Sequence, residues 1–351
     1  MRGLLCLPLL ILFACETITP PTATAYLDLS GETMGTYYRV KYLDSGQGNL
    51  KPAIDSLLLH LNTVEVSTYE PNSLITRFNR ATEQVILSID GPAATAYPHF
   101  VACYDNAATV TAATDGTFDP TIMPLVNYWG FGYDGRRQAD AADSTVVDSL
   151  MRFVGFAKVR RTAAGDTVLL RKALPGVQLD FSANAKGYGV DAVGRLLEAR
   201  GIDNYLVEIG GEDRARGKND RGGWWTVGVN TPSETASVRD FERVVALRNY
   251  SIATSGNYRN FYEKDGQKVS HIINPKTGYP ERRNLLSASV FAPDCMTADA
   301  YATACMVLGT ERALALIESL PGVEALLIYG DAAGDFQQAE TSGLAALVSV
   351  E

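Results

Sequence analysis

Asp299 and Thr303 stand four residues apart in the Ala-rich run Cys295-Met296-Thr297-Ala298-Asp299-Ala300-Tyr301-Ala302-Thr303-Ala304. On a helix these positions share a face, so a carboxylate and a hydroxyl can reach one ligand. With Thr297 as N-cap, Asp299 falls in the first turn, where backbone N–H groups have no partner in the helix. Such a place suits a hard cation together with a phosphate. The alternative is an acidic residue that complements a helix dipole and a threonine bonded to its own backbone.

Four further segments carry more Gly, Asp, Asn and Ser than a plain core needs. They are Asp115-Gly116-Thr117-Phe118-Asp119-Pro120, Leu179-Asp180-Phe181-Ser182-Ala183-Asn184-Ala185-Lys186-Gly187, Ser251-Ile252-Ala253-Thr254-Ser255-Gly256, and Ser270-His271-Ile272-Ile273-Asn274-Pro275-Lys276-Thr277-Gly278. Each alone is compatible with ordinary turn chemistry. Lys186 is the exception, because it enters the first turn of a helix whose dipole disfavours a cation. An anion must lie nearby. Of the three histidines, His60 on a Leu-rich amphipathic helix and His99 beside Pro98 read as structural or surface groups, while His271 sits in a polar turn.

The elements that position these groups are mixed. Helical spacing runs over 53–66, 92–114, 143–154 and 183–200, the last stopping at Gly201. Alternation predicts strands over 34–43, 205–209, up to Arg216, 224–229, 241–247, 258–263 paired with 268–273, 286–291 and 323–329. Strands and helices interleave without a regular βαβ rhythm. No Walker loop, H-E-x-x-H or C-x-x-C occurs, and no G-x-G-x-x-G follows a strand.

Composition narrows the setting. A net charge of −9 argues against nucleic acid and against an electrostatic grip on anionic lipid, and 46% hydrophobic residues suffice for a large core. Met1-Arg2, an apolar run too short to span a bilayer, and Leu12-Phe13-Ala14-Cys15 resemble a lipoprotein signal over 1–15, with Cys15 as the lipidated residue. Residues 16–28 then form a Pro/Thr-rich tether, and 29–351 one folded unit. Cys103, Cys295 and Cys305 remain, an odd number without metal spacing. The last two flank a helix too long for direct pairing.

Taken together and in order, these blocks resemble the ApbE family of FAD:protein FMN transferases. The likeness runs through Met34-Gly35-Thr36, Ser67-Thr68-Tyr69-Glu70-Pro71-Asn72-Ser73, Arg77-Phe78-Asn79, the Asp-Gly-Thr-Phe-Asp-Pro block, Ala185-Lys186-Gly187-Tyr188, Gly210-Gly211, Ala253-Thr254-Ser255-Gly256, the His271 block and Asp299-Ala300-Tyr301-Ala302-Thr303. Asn274 stands where the family often has Asp.

The resemblance implies an α+β, T-fold-like architecture, antiparallel sheets flanked by helices with FAD in the cleft. It implies an enzyme that uses Mg²⁺ and FAD, moves FMN onto a threonine of an acceptor flavoprotein and releases AMP. By the same resemblance Met34, Tyr69, Thr117, Phe118, Asp119, Asp180, Lys186 and Ile272 line the FAD site. Asp299 and Thr303 bind the metal by side chain, and Ala183 and Ala302 by their carbonyls. His271 and Asp299 are both candidates for the proton acceptor. Acceptors would be subunits of membrane electron-transport complexes such as the Rnf or Nqr type, facing the periplasmic or extracytoplasmic side to which the lipid anchor holds this chain. An FAD pyrophosphatase yielding FMN and AMP, and a non-catalytic FAD-binding lipoprotein, are the alternatives.

Overall fold

Met34 and Gly35 both take positive φ, 50° and 72°, as a two-residue turn requires if it is to match the twist of the strands it joins. It links β1 (Tyr26–Thr33) to β2 (Thr36–Leu43). The computed structural model describes residues 25–86, 97–133, 143–164, 167–230, 241–257, 261–264, 267–331, 333 and 335–348. Tyr26, Leu27 and Asp28 therefore belong to a strand and not to the tether expected over 16–28. This edge strand is half-exposed along its length, so its sequence carries only a weak apolar alternation. The leader with Cys15 lies outside the described residues.

In β2, Tyr38, Val40 and Tyr42 point inward while Tyr37 and Arg39 face solvent, the period of two that a one-sided strand demands. β6 (Tyr205–Ile209), β7 (Glu212–Arg216), β10 (Ser251–Gly256), β13 (Leu285–Ala292), β14 (Glu324–Gly330) and β15 (Phe336–Glu340) complete one eight-stranded sheet. Its order is β1-β2-β6-β7-β10-β13-β14-β15. Every neighbouring pair is antiparallel. Smaller sheets join β3 (Gln84–Ile86), β5 (Thr167–Lys172) and β4 (Val159–Ala164), β8 (Trp225–Asn230) with β9 (Phe241–Leu247), and β11 (Phe261–Lys264) with β12 (Gln267–Ser270). The architecture is α+β, as expected.

Among the described residues the α-helices are α1 (Lys51–His60), α2 (Leu74–Arg80), α3 (Pro98–Ala113), α4 (Met123–Tyr128), α5 (Ser144–Met151), α6 (Ala185–Glu198), α7 (Cys295–Leu308), α8 (Thr310–Glu318) and α9 (Leu344–Val348). The helical spacing over 53–66 resolves into α1 and a following π-helical turn, Leu61–Val66. Of the spacing over 92–114, residues 92–96 lie outside the description, as do 258–260 and 265–266 of the expected 258–273 hairpin.

The centre of the sheet is covered on both faces. Ala253, Ala288 and Val290 face α7, while Ile252 and Phe291 face Trp225, Val245 and Leu344. Ala298, Ala300, Ala302 and Ala304 of α7 are wholly buried on every side, as befits a helix enclosed between sheet and helices. The outer strands β2 and β6 instead close over α1 and α6 through Ile54, Leu58, Val190, Val193 and Leu197. Cys103, Cys295 and Cys305 are buried and free. Among the described residues no helix is long and apolar enough to cross a membrane.

Candidate active site

Gly187 lets α6 and α7 touch. A Cβ there would stand 2.4 Å from the Cys295 carbonyl oxygen and 2.9 Å from Asp299 Cβ, so a side chain would force the helices apart. Across this contact each helix pins the start of the other. Asp299 Oδ2 accepts from the Gly187 N–H (3.0 Å), in the first turn of α6. Asp191 of α6 in turn accepts from the Cys295 N–H (3.0 Å) and the Met296 N–H (2.9 Å), the first two donors of α7.

This corrects the expected helix start. Asp294, extended at φ −127° and ψ 149°, caps α7 through the Thr297 N–H (2.8 Å), so Thr297 is not the N-cap. The Thr297 hydroxyl is occupied elsewhere, by Asn106 Nδ2 at 3.4 Å. Asp299 consequently sits in the second turn, and the free N–H it complements belongs to the neighbouring helix.

The anion that Lys186 requires is Glu212, at the start of β7, with Nζ 2.5 Å from Oε1. Glu212 went unassigned in the sequence. Its signal is a carboxylate just after Gly210-Gly211, which turn between β6 and β7 with φ of 59° and 98°, at a strand position that faces inward. Glu212 is 2% exposed, and its Oε2 has no hydrogen-bond partner. Burial pushes its carboxyl up, opposed by the Lys186 ammonium and reinforced by Asp299. Burial also works against the Lys186 charge, yet the Glu212 and Asp299 carboxylates hold it above its ordinary range. Burial raises Asp299 too, against the pull of Lys186 and the Gly187 N–H. Two buried carboxylates thus share one ammonium. The excess negative charge, the orphaned Glu212 oxygen and the hard oxygen donors beside it fit a divalent cation of the Mg²⁺ kind.

These groups line a cavity of about 860 Å³, within the range that encloses a cofactor-sized ligand. Met34, Tyr69, Thr117, Phe118, Asp119, Asp180, Lys186, Ile272, His271, Ala183, Asp299 and Thr303 all reach its wall. Ala302, wholly buried one residue before Thr303, does not. Ser255, at the end of β10, bonds Thr303 Oγ1 through its hydroxyl (3.2 Å) and lines the wall as well.

The wall residues differ in how much bonding capacity remains. Asp119 spends one oxygen on the Thr121 N–H (2.8 Å) and hydroxyl (2.5 Å) and the other on the Phe156 N–H (2.9 Å), so it shapes the wall by capping a turn. Thr117 donates its hydroxyl to the Thr114 carbonyl (2.7 Å). Asp180 accepts from the Ser182 N–H and hydroxyl through Oδ1, and burial raises its carboxyl against those bonds. Tyr69 is 65% exposed, with its ring at the rim, and its hydroxyl donates to the Phe131 carbonyl at 3.4 Å. His271, half-buried, lies edge to face with Phe131, ring centroids 6.2 Å apart. Asn274 donates from Nδ2 to Glu281 (2.5 Å) while its Oδ1 accepts from the Lys276 N–H (2.8 Å). An aspartate there could not make the first bond.

A central antiparallel sheet and two mutually capped helices thus hold an acidic, lysine-bearing cavity of cofactor size. The chain belongs to the ApbE family, which matches residues 34–327. It is 39% identical over 300 residues to the FAD:protein FMN transferase of Haemophilus influenzae, covering 84% of each chain. It is 37% identical over 315 residues to that of Vibrio cholerae, covering 89% of this chain and 88% of the relative. The flavin transferase ApbE structure from Vibrio cholerae superposes with a TM-score of 0.80 at 34% identity, over 92% of this chain and 99% of that one. The Pseudomonas stutzeri flavinyl transferase ApbE, apo form, gives 0.80 at 32% identity, over 93% and 98%.

Proposed function

We propose that this chain is an FAD:protein FMN transferase that moves the FMN half of FAD onto a threonine hydroxyl of an acceptor flavoprotein, releases AMP and uses Mg²⁺. The observation that carries this reading is the meeting, in one cavity, of Asp299 bonded to the Gly187 N–H, Lys186 in the same helical turn and the Thr303 hydroxyl. Asp299 and Thr303, with the carbonyl of Ala183, would hold the metal; Ala302, off the cavity wall, drops out of the set that the resemblance implies. Bound there, Mg²⁺ supplies positive charge against the phosphate oxygens as the pyrophosphate splits. Lys186, already drawn into the cleft by Glu212, meets a phosphate at the helix start that favours one. Met34, Phe118 and Ile272 offer apolar wall to a flat ring, and Tyr69 an aromatic face at the rim.

The threonine oxygen bonds to phosphorus as the bond to the AMP oxygen breaks, and the hydroxyl proton needs an acceptor. Of the two candidates, Asp299 is 4% exposed and has one oxygen committed to Gly187. His271 is half-buried on the wall, open to a threonine arriving from another protein, and we assign it the base. The lipidation of Cys15, residence on the periplasmic or extracytoplasmic side of a bacterial membrane, and acceptors of the Rnf or Nqr type belong to the same proposal, supported by the leader sequence and the tether.

Incubation with FAD, Mg²⁺ and a candidate acceptor domain tests the reading. Transfer leaves a fluorescent band on a denaturing gel; free FMN with AMP would show a pyrophosphatase, and intact bound FAD a storage protein. Asp299→Ala is expected to bring turnover to background, and unchanged turnover would remove the metal assignment. Lys186→Ala is expected to weaken FAD binding about 10- to 100-fold by titration, the worth of a charge-assisted hydrogen bond.

A further inference from the structure

We propose that His60, Glu65 and His99 form a second metal site, for a divalent transition ion of the zinc class, apart from the flavin cavity. Two of the chain's three histidines meet here, contrary to their reading as plain structural or surface groups. One ligand atom from each of the three side chains lies within 4.8 Å of the others. His60 Nε2 is 3.2 Å and His99 Nε2 4.0 Å from Glu65 Oε1. Tetrahedral zinc, with bonds of about 2.0–2.2 Å, holds neighbouring ligand atoms roughly 3.4 Å apart, so the cluster needs to close by less than about 1.5 Å.

The backbone accounts for the meeting. His60 and Glu65 are five residues apart, and on an α-helix they would point about 140° away from each other. The π turn Leu61–Val66 falls between them, marked by the bond from the Ser67 N–H to the Asn62 carbonyl (3.2 Å), and brings residues five apart to one side. Such turns recur at functional sites.

The surroundings suit a metal. Glu65 is wholly buried, and among the described residues its only ionic partners are the two imidazoles. A buried carboxylate without Lys or Arg needs another cation. Its Oε2 is oriented by the Phe100 N–H (2.8 Å), and His99 Nδ1 is engaged by the Tyr188 hydroxyl (3.0 Å), leaving Nε2 toward the cluster. This is the outer support that metal-bound histidines require. The His60 side chain is 52% exposed, an open side for entry and for a water as fourth ligand. An ion here would clamp the π turn onto the start of α3, steadying residues 67–70, which line the flavin cavity.

The full chain, stripped with a chelator, is titrated with Zn²⁺ in excess Mg²⁺, and with Co²⁺ for its visible absorption bands. One equivalent is expected to bind to wild type and equally to Asp299→Ala. His60→Ala and His99→Ala are each expected to lose at least about 100-fold in affinity, and Tyr188→Phe about tenfold. His60, mostly exposed, is the variant least exposed to a folding failure. Absence of stoichiometric binding, binding unaltered by the histidine variants, or binding lost in Asp299→Ala instead would each overturn the proposal.

Discussion

Of the ion pairs that join helix α6 to strand β7, Asp191–Arg214 and Lys186–Glu212 have opposite characters. Asp191 meets Arg214 Nη1 at 2.7 Å and also receives the Cys295 and Met296 N–H groups. Arg214 continues to Glu198 (3.0 Å) and the Tyr205 hydroxyl (3.1 Å). Five residues earlier on α6, Lys186 meets Glu212, whose second oxygen has no partner. In the first pair both Asp191 oxygens and all three Arg214 nitrogens are bonded within the protein. The second retains an oxygen without a partner, and it faces the cavity. A buried pair that is fully bonded holds elements together, whereas one left incomplete has capacity to bind.

The contrast can be broken at either end. Asp191→Ala should give the largest effect on stability, about 3–5 kcal/mol, because it strands Arg214 and the first N–H groups of α7. Urea unfolding measures this, and a loss under about 1 kcal/mol would erase the distinction between the two pairs. Gly187→Ala comes next, at about 1–3 kcal/mol, since the new methyl must displace the Cys295 carbonyl. Because the contact lies beside Asp299, FAD affinity should fall with stability in the same variant.

The smallest effect is graded by pH. The Glu212 carboxyl is raised by burial from 4.5 to about 7, so the native state holds its proton where the unfolded chain has lost it. Its contribution is whole below 4.5 and fades as pH rises through about 7. Glu212→Gln lacks that slope, so its stability relative to wild type should improve from pH 4.5 to 7 in the metal-free protein. Parallel pH profiles for the two would place the Glu212 carboxyl outside this account.

Much of the frame was legible. The apolar period over 183–200 with Gly201 after it marks α6, which runs from Ala185 to Glu198 and leaves Gly201, at φ 74°, in the turn that follows. The alternation over 205–209 is β6, and the Ala-rich run is α7. Errors fall where two local choices were nearly equal. Asp294 and Thr297 both make sound N-caps, and the one whose backbone is extended wins. The first three residues of β1, Tyr26, Leu27 and Asp28, read as tether because a half-exposed edge strand needs few apolar residues. Alternation puts Met34 and Gly35 in the strand over 34–43, whereas both residues make the turn before it.

Glu212 shows the limit more sharply. Its place just after Gly210-Gly211 is a local signal that a solvated strand carboxylate shares; only the sheet, by turning its side chain under α6, makes it the partner of Lys186. His60 and Glu65 illustrate the same point, since a π turn is invisible to a count made at 3.6 residues per turn.

The sequence by itself determined what is local: the helix and strand periods, the glycines where backbones turn or touch, and a lysine placed against a helix dipole. Tertiary structure alone decided which charges meet. Lys186 and Glu212 are 26 residues apart, and Gly187 and Asp299 are 112 apart. Electrostatic energy depends on distance through space, and that distance is set by how α6 and α7 settle against the sheet, not by spacing along the chain.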